Sequence, residues 1–272
     1  MFKIVLLLTA FVTGGLIQGA ERIVRARMQN RIGPPLLQPF YDMLKLLKKK
    51  PAMVDKLHSL YAVMHFIAMG FVVATMLYGG HLLYVIFLHL LATTFLILAG
   101  YSVRSIYSHI GANRELLVLL IYEPILIFIA TGLYLLNGSF FIGDIAHANS
   151  YAQLFFALPL LLVSLIKLSK SPFDNAHAHQ EIIGGVEIEY SGILYEFLYT
   201  AKWLEYFFIF ALFWLLGGEH LFLSIALVLG AFLAMNLIDN ATARVQMRRL
   251  FTFGALFGYG SCLVIIVGIS YV

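Results

Sequence analysis

Four of the chain's fourteen carboxylates, Asp174, Glu181, Glu187 and Glu189, fall between Ser171 and Gly192, together with His177 and His179. Glu196 follows at once, and Glu205 comes nine residues later, three after Lys202. Acids that crowd one another while partly withdrawn from water have raised proton affinities and can exchange protons near neutral pH. Two more acids sit inside or at the end of apolar runs: Glu123, within Tyr122-Glu123-Pro124, and Asp239, which opens Asp239-Asn240-Ala241-Thr242-Ala243-Arg244. The pattern suggests a file running from the loop acids through Glu196 to Glu205, Lys202 and Glu123. The competing reading is a set of buried ion pairs, Lys202–Glu205 first, that fix helix packing and carry nothing. The His177-x-His179 pair suits hydrogen bonds to a partner or water better than a metal, because third and fourth ligands are not evident. No phosphate-cradling glycine loop and no nucleophile–base–orienter set stands out.

The elements that position these residues are apolar. Hydrophobic residues make up 61% of 272 positions and charged residues 12%, with mean hydropathy +0.91. A soluble domain is nearer half apolar and about 25% charged, so the sequence predicts an integral membrane protein. The apolar runs are about twenty residues long, which fits helices and not the short alternating strands of a barrel. Eight spans are expected, near 2–20, 60–79, 82–102, 115–137, 151–169, 195–217, 219–238 and 250–272. They form one transmembrane helical domain over 1–272, with an inner loop at 21–59 and an acidic inner loop at 170–194.

Charge placement sets the orientation. Sixteen of the eighteen Lys and Arg residues fall in alternate loops: Arg22, Arg25, Arg27, Arg31, Lys45, Lys48, Lys49, Lys50 and Lys56, then Arg104 and Arg114, then Lys167 and Lys170, then Arg244, Arg248 and Arg249. The intervening links carry none, which places those loops inside and both termini outside. The charge of +4 therefore reports topology and not nucleic acid. A single cysteine, Cys262, excludes a disulfide framework and an iron–sulfur cluster held by this chain.

Within the first inner loop, Arg31-Ile32-Gly33-Pro34-Pro35 cannot be regular helix, since proline disfavours helical geometry in the residue before it. Pro39 suits a first helical turn, with Phe40, Met43, Leu44 and Leu47 at helical spacing and lysines on the polar side. That predicts an amphipathic helix on the inner interface, as a headgroup anchor or a protein docking surface. Asn113 is the expected N-cap of the 115–137 span. Pro124 frees a carbonyl within that span, while the scattered histidines (65, 81, 89, 109, 147 and 220) are expected at interfaces.

In order along the chain, Arg31-Ile-Gly-Pro-Pro-Leu-Leu-Gln-Pro39 with Asp42 and Lys45, Gly111-Ala-Asn-Arg-Glu115, Tyr122-Glu-Pro124, Pro172-Phe-Asp174, Gln180-Glu181, Glu189-Tyr-Ser-Gly192, Lys202-Trp-Leu-Glu-Tyr206 and Asp239-Asn-Ala-Thr-Ala-Arg244 form a set. It resembles the eight-helix membrane subunit of respiratory complex I and its counterparts in energy-converting, membrane-bound NiFe hydrogenases. The collapsed RIGPPLLQP segment, and His177 and His179 at two usual acid positions, are similar to the hydrogenase branch and speak against quinone binding.

The resemblance implies a non-catalytic coupling subunit in a prokaryotic cytoplasmic membrane. It would link ferredoxin-dependent hydrogen evolution to proton or sodium translocation. The NiFe centre and iron–sulfur clusters would lie in hydrogenase large and small subunits on the cytoplasmic side, with antiporter-like subunits alongside in the bilayer. Glu123, Asp174, Glu181, Glu187, Glu189, Glu196, Lys202, Glu205 and Asp239 would serve the proton path. Arg31, Pro34, Gln38, Asp42, Lys45, Arg114, His177 and His179 would meet partners. The alternatives are the equivalent subunit of a quinone- or sulfur-reducing complex, a stand-alone transporter, for which no internal repeat is evident, and an inert anchor.

Overall fold

The computed structural model describes residues 2–52, 55–148 and 151–270, and the side chains of 2–5, 177, 179 and 270 lie outside that description. Among the described residues twelve α-helices follow in order: α1 (Phe2–Met28), α2 (Gln38–Leu47), α3 (Lys56–Leu77), α4 (Leu82–Tyr101), α5 (Ile106–Asn137), α6 (Ile142–Ala146), α7 (Ala157–Lys167), α8 (His179–Ile182), α9 (Gly192–Leu215), α10 (Leu221–Ala241), α11 (Met247–Phe253) and α12 (Gly260–Ser270). The same residues contain no β-strand beyond an isolated bridge between His81 and Phe141. Six of their segments are long and apolar enough to cross a membrane: α3, α4, α5, α9, α10 and the continuous stretch Met247–Ile269. With α1 and the shorter apolar stretch Tyr151–Lys167, each expected span is helical over its described residues. This is an all-α membrane protein.

The chain divides into two compact units. The first comprises Met1–Ala74, Leu88–Leu117 and Ala176–Phe207; the second comprises Thr75–Phe87, Val118–Asn175 and Phe208–Val272.

In the first unit, α1 and α9 pack at glycine distance. Gly14 faces the backbone of Trp203, Gly15 the ring of Phe40, and Gly19 the carbonyl of Leu36. Trp203 is fully enclosed, with its ring centroid 4.9 Å from those of both Phe11 and Phe40. Segment 31–37 is non-helical as its prolines require, and Pro39 opens α2.

One expectation fails here. Helix α5 starts at Ile106, so Asn113 lies inside it and caps nothing; its side-chain oxygen accepts a 2.6 Å bond from the Tyr101 hydroxyl. The helix continues through polar sequence because Gly111 packs on the turn at Gly185, whose φ is +56°. The histidines also depart from expectation. His65 and His89 are buried rather than interfacial, and His65 Nδ1 lies 2.8 Å from the Ala92 carbonyl of α4.

In the second unit, a π-helical turn (Gly254–Tyr259) joins α11 to α12. Gly254 and Gly258, four apart, let it press on Ile121 and Ile125 of α5. Pro124 cannot donate to the Leu120 carbonyl. The Tyr259 hydroxyl donates to that oxygen instead, at 2.7 Å, so the group freed by the proline is satisfied from a neighbouring helix.

A Cβ at Gly111 would stand 2.6 Å from Gly185 Cα and 2.7 Å from Val186 N, whereas one at Gly70 of α3 would meet nothing within 4 Å. Gly111→Ala is expected to destabilise the protein by about 1–3 kcal/mol. Gly70→Ala should be neutral or stabilising by up to about 1 kcal/mol. Thermal unfolding of the two variants side by side checks the contrast.

Candidate functional site

The acidic loop condenses into short helical turns at Asp174–His177, His179–Ile182 and Gly185–Glu189. Its C-terminal end is fastened at three successive residues. Tyr190 stacks on His58 with centroids 3.8 Å apart, and its hydroxyl donates to the His58 carbonyl at 2.7 Å. Ser191 Oγ accepts from the Ala52 amide at 2.8 Å. Gly192, at φ +56°, sits against the carbonyls of Lys49 and Lys50, where no side chain would fit. Burial pushes the Tyr190 phenol well above its ordinary range, so it stays a neutral donor.

This fastening delivers Glu187 to α9. The Lys202 ammonium lies 2.6 Å from Glu187 Oε1, and the Tyr195 hydroxyl stands 3.5 Å from Oε2. The spacing had suggested Glu205 as the partner of Lys202; the bond goes to the loop, and Glu205 acts on Lys202 through its charge. Glu196 and Glu205 are both buried along the same helix. Helix α9 is also the most enclosed of the six candidate spans, with 78% of its most apolar 18 residues buried against 22% for α10. Its charges therefore sit where partners matter most, because an unpaired ion in a low-dielectric interior costs several kcal/mol.

The same face of α9 also meets α1. Arg22 donates to Asp42 Oδ2 at 2.9 Å and to the Tyr199 hydroxyl at 3.0 Å. The Tyr206 hydroxyl donates to Glu21, Glu21 pairs with Arg25 at 3.0 Å, and Trp203 Nε1 donates to Gln18 at 2.8 Å. Burial alone would raise the Asp42 carboxyl, but hydrogen bonds from Arg22 and Gln38, with the charges of Arg22 and Lys45, hold it below the usual carboxylate range.

Gln18, Glu21 and Tyr206 were missed as site residues, and Arg22 was counted only for its sign. The available signal was spacing: 18, 21, 22 and 25 fall at i, i+3, i+4 and i+7, one polar face on an otherwise apolar helix.

The remaining residues sort plainly. Arg114 and Glu181 pair with each other at 2.6 Å, a half-exposed bridge worth up to about 1 kcal/mol. Gln38 and Asp42 are bonded to one another at 3.0 Å, while Arg31 and Lys45 are exposed and Pro34 and Glu189 half-buried. The side chains of His177 and His179 lie outside the described residues. In the second unit, Glu123 is buried, and the Lys167 ammonium lies 5.4 Å from the Tyr122 ring centroid. Asp174 accepts a two-pronged bond from Arg244 at 2.8 and 2.5 Å. Asp239 accepts from the Ser171 amide at 2.8 Å. Those last two acids hold segment 171–174 to 239–245, aided by the Val245 amide bonding Pro172 O at 3.0 Å. Among the described residues no group of three or more His, Cys, Asp or Glu side chains is placed to hold a metal.

Residues 2–269 match the NADH dehydrogenase family along almost their whole length. The chain belongs to that family. Members similar to it include a subunit of the NADH-quinone oxidoreductase of Geobacillus kaustophilus, 33% identical over 238 residues, covering 78% of this chain and 71% of that protein. Its counterpart in Geobacillus sp. strain WCH70 is 32% identical over 249 residues, 82% of this chain and 74% of its own length. Among solved structures, a chain of the membrane-bound sulfane sulfur reductase, an archaeal respiratory membrane complex, shares the fold with a TM-score of 0.86, covering 98% of both chains at 20% identity.

The Glu187–Lys202 bond can be isolated by a double-mutant cycle. Glu187→Gln, Lys202→Met and the pair, compared by thermal unfolding, are expected to show a coupling of about 1–3 kcal/mol. Additive effects would remove the bond from the account.

Proposed function

We propose that this chain is the membrane coupling subunit of a multisubunit respiratory oxidoreductase complex, linking electron transfer in a water-soluble module to ion movement across the membrane. The observation that carries the reading is the ion pair between Glu187, on a fastened polar loop, and Lys202, within the most enclosed helix. A redox step that shifts the loop, or changes charge beside it, weakens that pair and leaves Lys202 to Glu205. Glu187, the carboxylate that loses its ammonium partner, gains proton affinity, so loop position is converted into proton uptake on the loop. Glu123, Glu181, Glu189, Glu196 and Glu205 then serve as proton-exchanging groups, while Asp174 and Asp239 hold the start of the loop. The loop faces the cytoplasm and the module docked there.

For the reaction itself, the short RIGPPLLQP segment and the His177-x-His179-Gln-Glu run support a hydrogen-evolving, ferredoxin-dependent complex. Its NiFe centre and iron–sulfur clusters reside in hydrogenase large and small subunits, with antiporter-like chains as membrane neighbours. A second reading, a sulfur- or quinone-reducing complex with the same membrane part, is favoured by the fold shared with the sulfane sulfur reductase chain and by the NADH-quinone oxidoreductase relatives. Isolation of the chain from its native membrane in gentle detergent separates them. Nickel together with hydrogen evolution from reduced ferredoxin is expected; sulfur or quinone reduction without nickel establishes the second reading. In proteoliposomes of the isolated complex, Glu205→Gln should abolish ion uptake while electron transfer continues. Undiminished uptake takes Glu205 out of the mechanism.

A further inference from the structure

Helix α2 has two faces with different demands. Its inward face is committed: Phe40 enters the gap at Gly15, and Asp42 is bonded to Arg22 and Gln38. Its outward face is neither polar nor covered. Leu37, Tyr41 and Leu44, at i, i+4 and i+7, are 48%, 55% and 49% exposed, and Ile32 just before the helix is 90% exposed. Lys45, Lys48, Lys49, Lys50 and Arg31 are exposed beside them. The only acid between 29 and 50 is Asp42, which is turned away.

The level of α2 follows from what it touches. Gly33 meets Ile23 and Ala26, Leu36 meets Gly19, and Phe40 meets Gly15, so the chain folds back beside α1 instead of continuing past its end. Gly15 is about 20 Å short of Met28 at 1.5 Å per residue. At the other end, the Lys49 and Lys50 carbonyls abut Gly192, the first residue of α9. The N-terminal half of α2 therefore lies against α1 well before that helix ends, and the residues just after α2 meet the start of α9. Large apolar side chains with interleaved lysines at that level are what an interfacial helix presents to a lipid surface.

We propose that the outward face of α2 is a binding site for anionic phospholipid, with headgroup phosphates on Lys45, Lys48, Lys49 and Lys50 and acyl chain against Leu37, Tyr41 and Leu44. An acidic protein surface would meet the lysines but leave the apolar row without a matching phase. Lipid satisfies both. The inference does not depend on which reaction the complex performs.

The test uses the full chain in nanodiscs of phosphatidylcholine alone, or of phosphatidylcholine and phosphatidylglycerol in equal parts, with and without its co-purifying subunits. A nitroxide at Leu44→Cys, in a Cys262→Ala background, is expected to be accessible to oxygen and shielded from a water-soluble reagent when phosphatidylglycerol is present. The quadruple variant Lys45→Gln, Lys48→Gln, Lys49→Gln and Lys50→Gln should move the label toward water. It should also retain about tenfold less phosphatidylglycerol through purification, counted by native mass spectrometry. Water accessibility in both lipid mixtures, retention unchanged by the substitutions, or shielding that appears only with partner subunits would each overturn the proposal.

Discussion

A charge inside a membrane helix must have a partner, and in this protein that rule shapes the first unit from loop to helix. Lys202 is answered by Glu187, fifteen residues earlier in the chain, and the answer requires that the loop be carried to α9 and held there. Tyr190, Ser191 and Gly192 do the holding through a ring stack, two hydrogen bonds and a backbone-only approach. A pair of this kind contributes little net stability, since desolvation offsets most of the attraction. What it contributes is a strong penalty for any arrangement that separates the two charges.

The same rule explains the seam between α1 and α9. An apolar interface alone leaves two helices free to slide in a lipid environment, where hydrophobic burial supplies no driving force between them. Gly14 brings the α1 backbone close to that of α9 at Trp203, and polar bonds between Gln18, Glu21 and Arg22 on one side and Trp203, Tyr206 and Tyr199 on the other fix the register. Asp42 extends that network to α2, so the position of a short surface helix and the hydrogen bonding of a central one are set together.

Much of this architecture was legible in the sequence, and the failures share a cause. Apolar run length located the six segments long and apolar enough to cross a membrane, Pro34, Pro35 and Pro39 placed the break before α2, and the isolated acids marked α9 and α5 as the helices with something to satisfy. Spacing along one helix pointed Lys202 to Glu205, because local periodicity cannot foresee a loop that folds back. It likewise placed a loop over 103–114, where polar residues from Arg104 to Arg114 hide a helix held by Gly111 on Gly185. Glu21 and Tyr206 are separated by 185 positions, and nothing in either neighbourhood names the other. Each miss is a long-range contact overriding a local preference.

The meeting of Gly111 with Gly185 has one more consequence. Where side chains touch, a small displacement is absorbed as a rotamer hop or a tilted ring. Where two main chains touch, the planar peptide leaves only φ and ψ to adjust, and within a helix those are already fixed by hydrogen bonds. The joint between the loop and α5 therefore has almost no compliance. A push of the turn at Gly185 toward α5 meets main chain with little room to yield, so this contact resists compression more stiffly than a contact between side chains would.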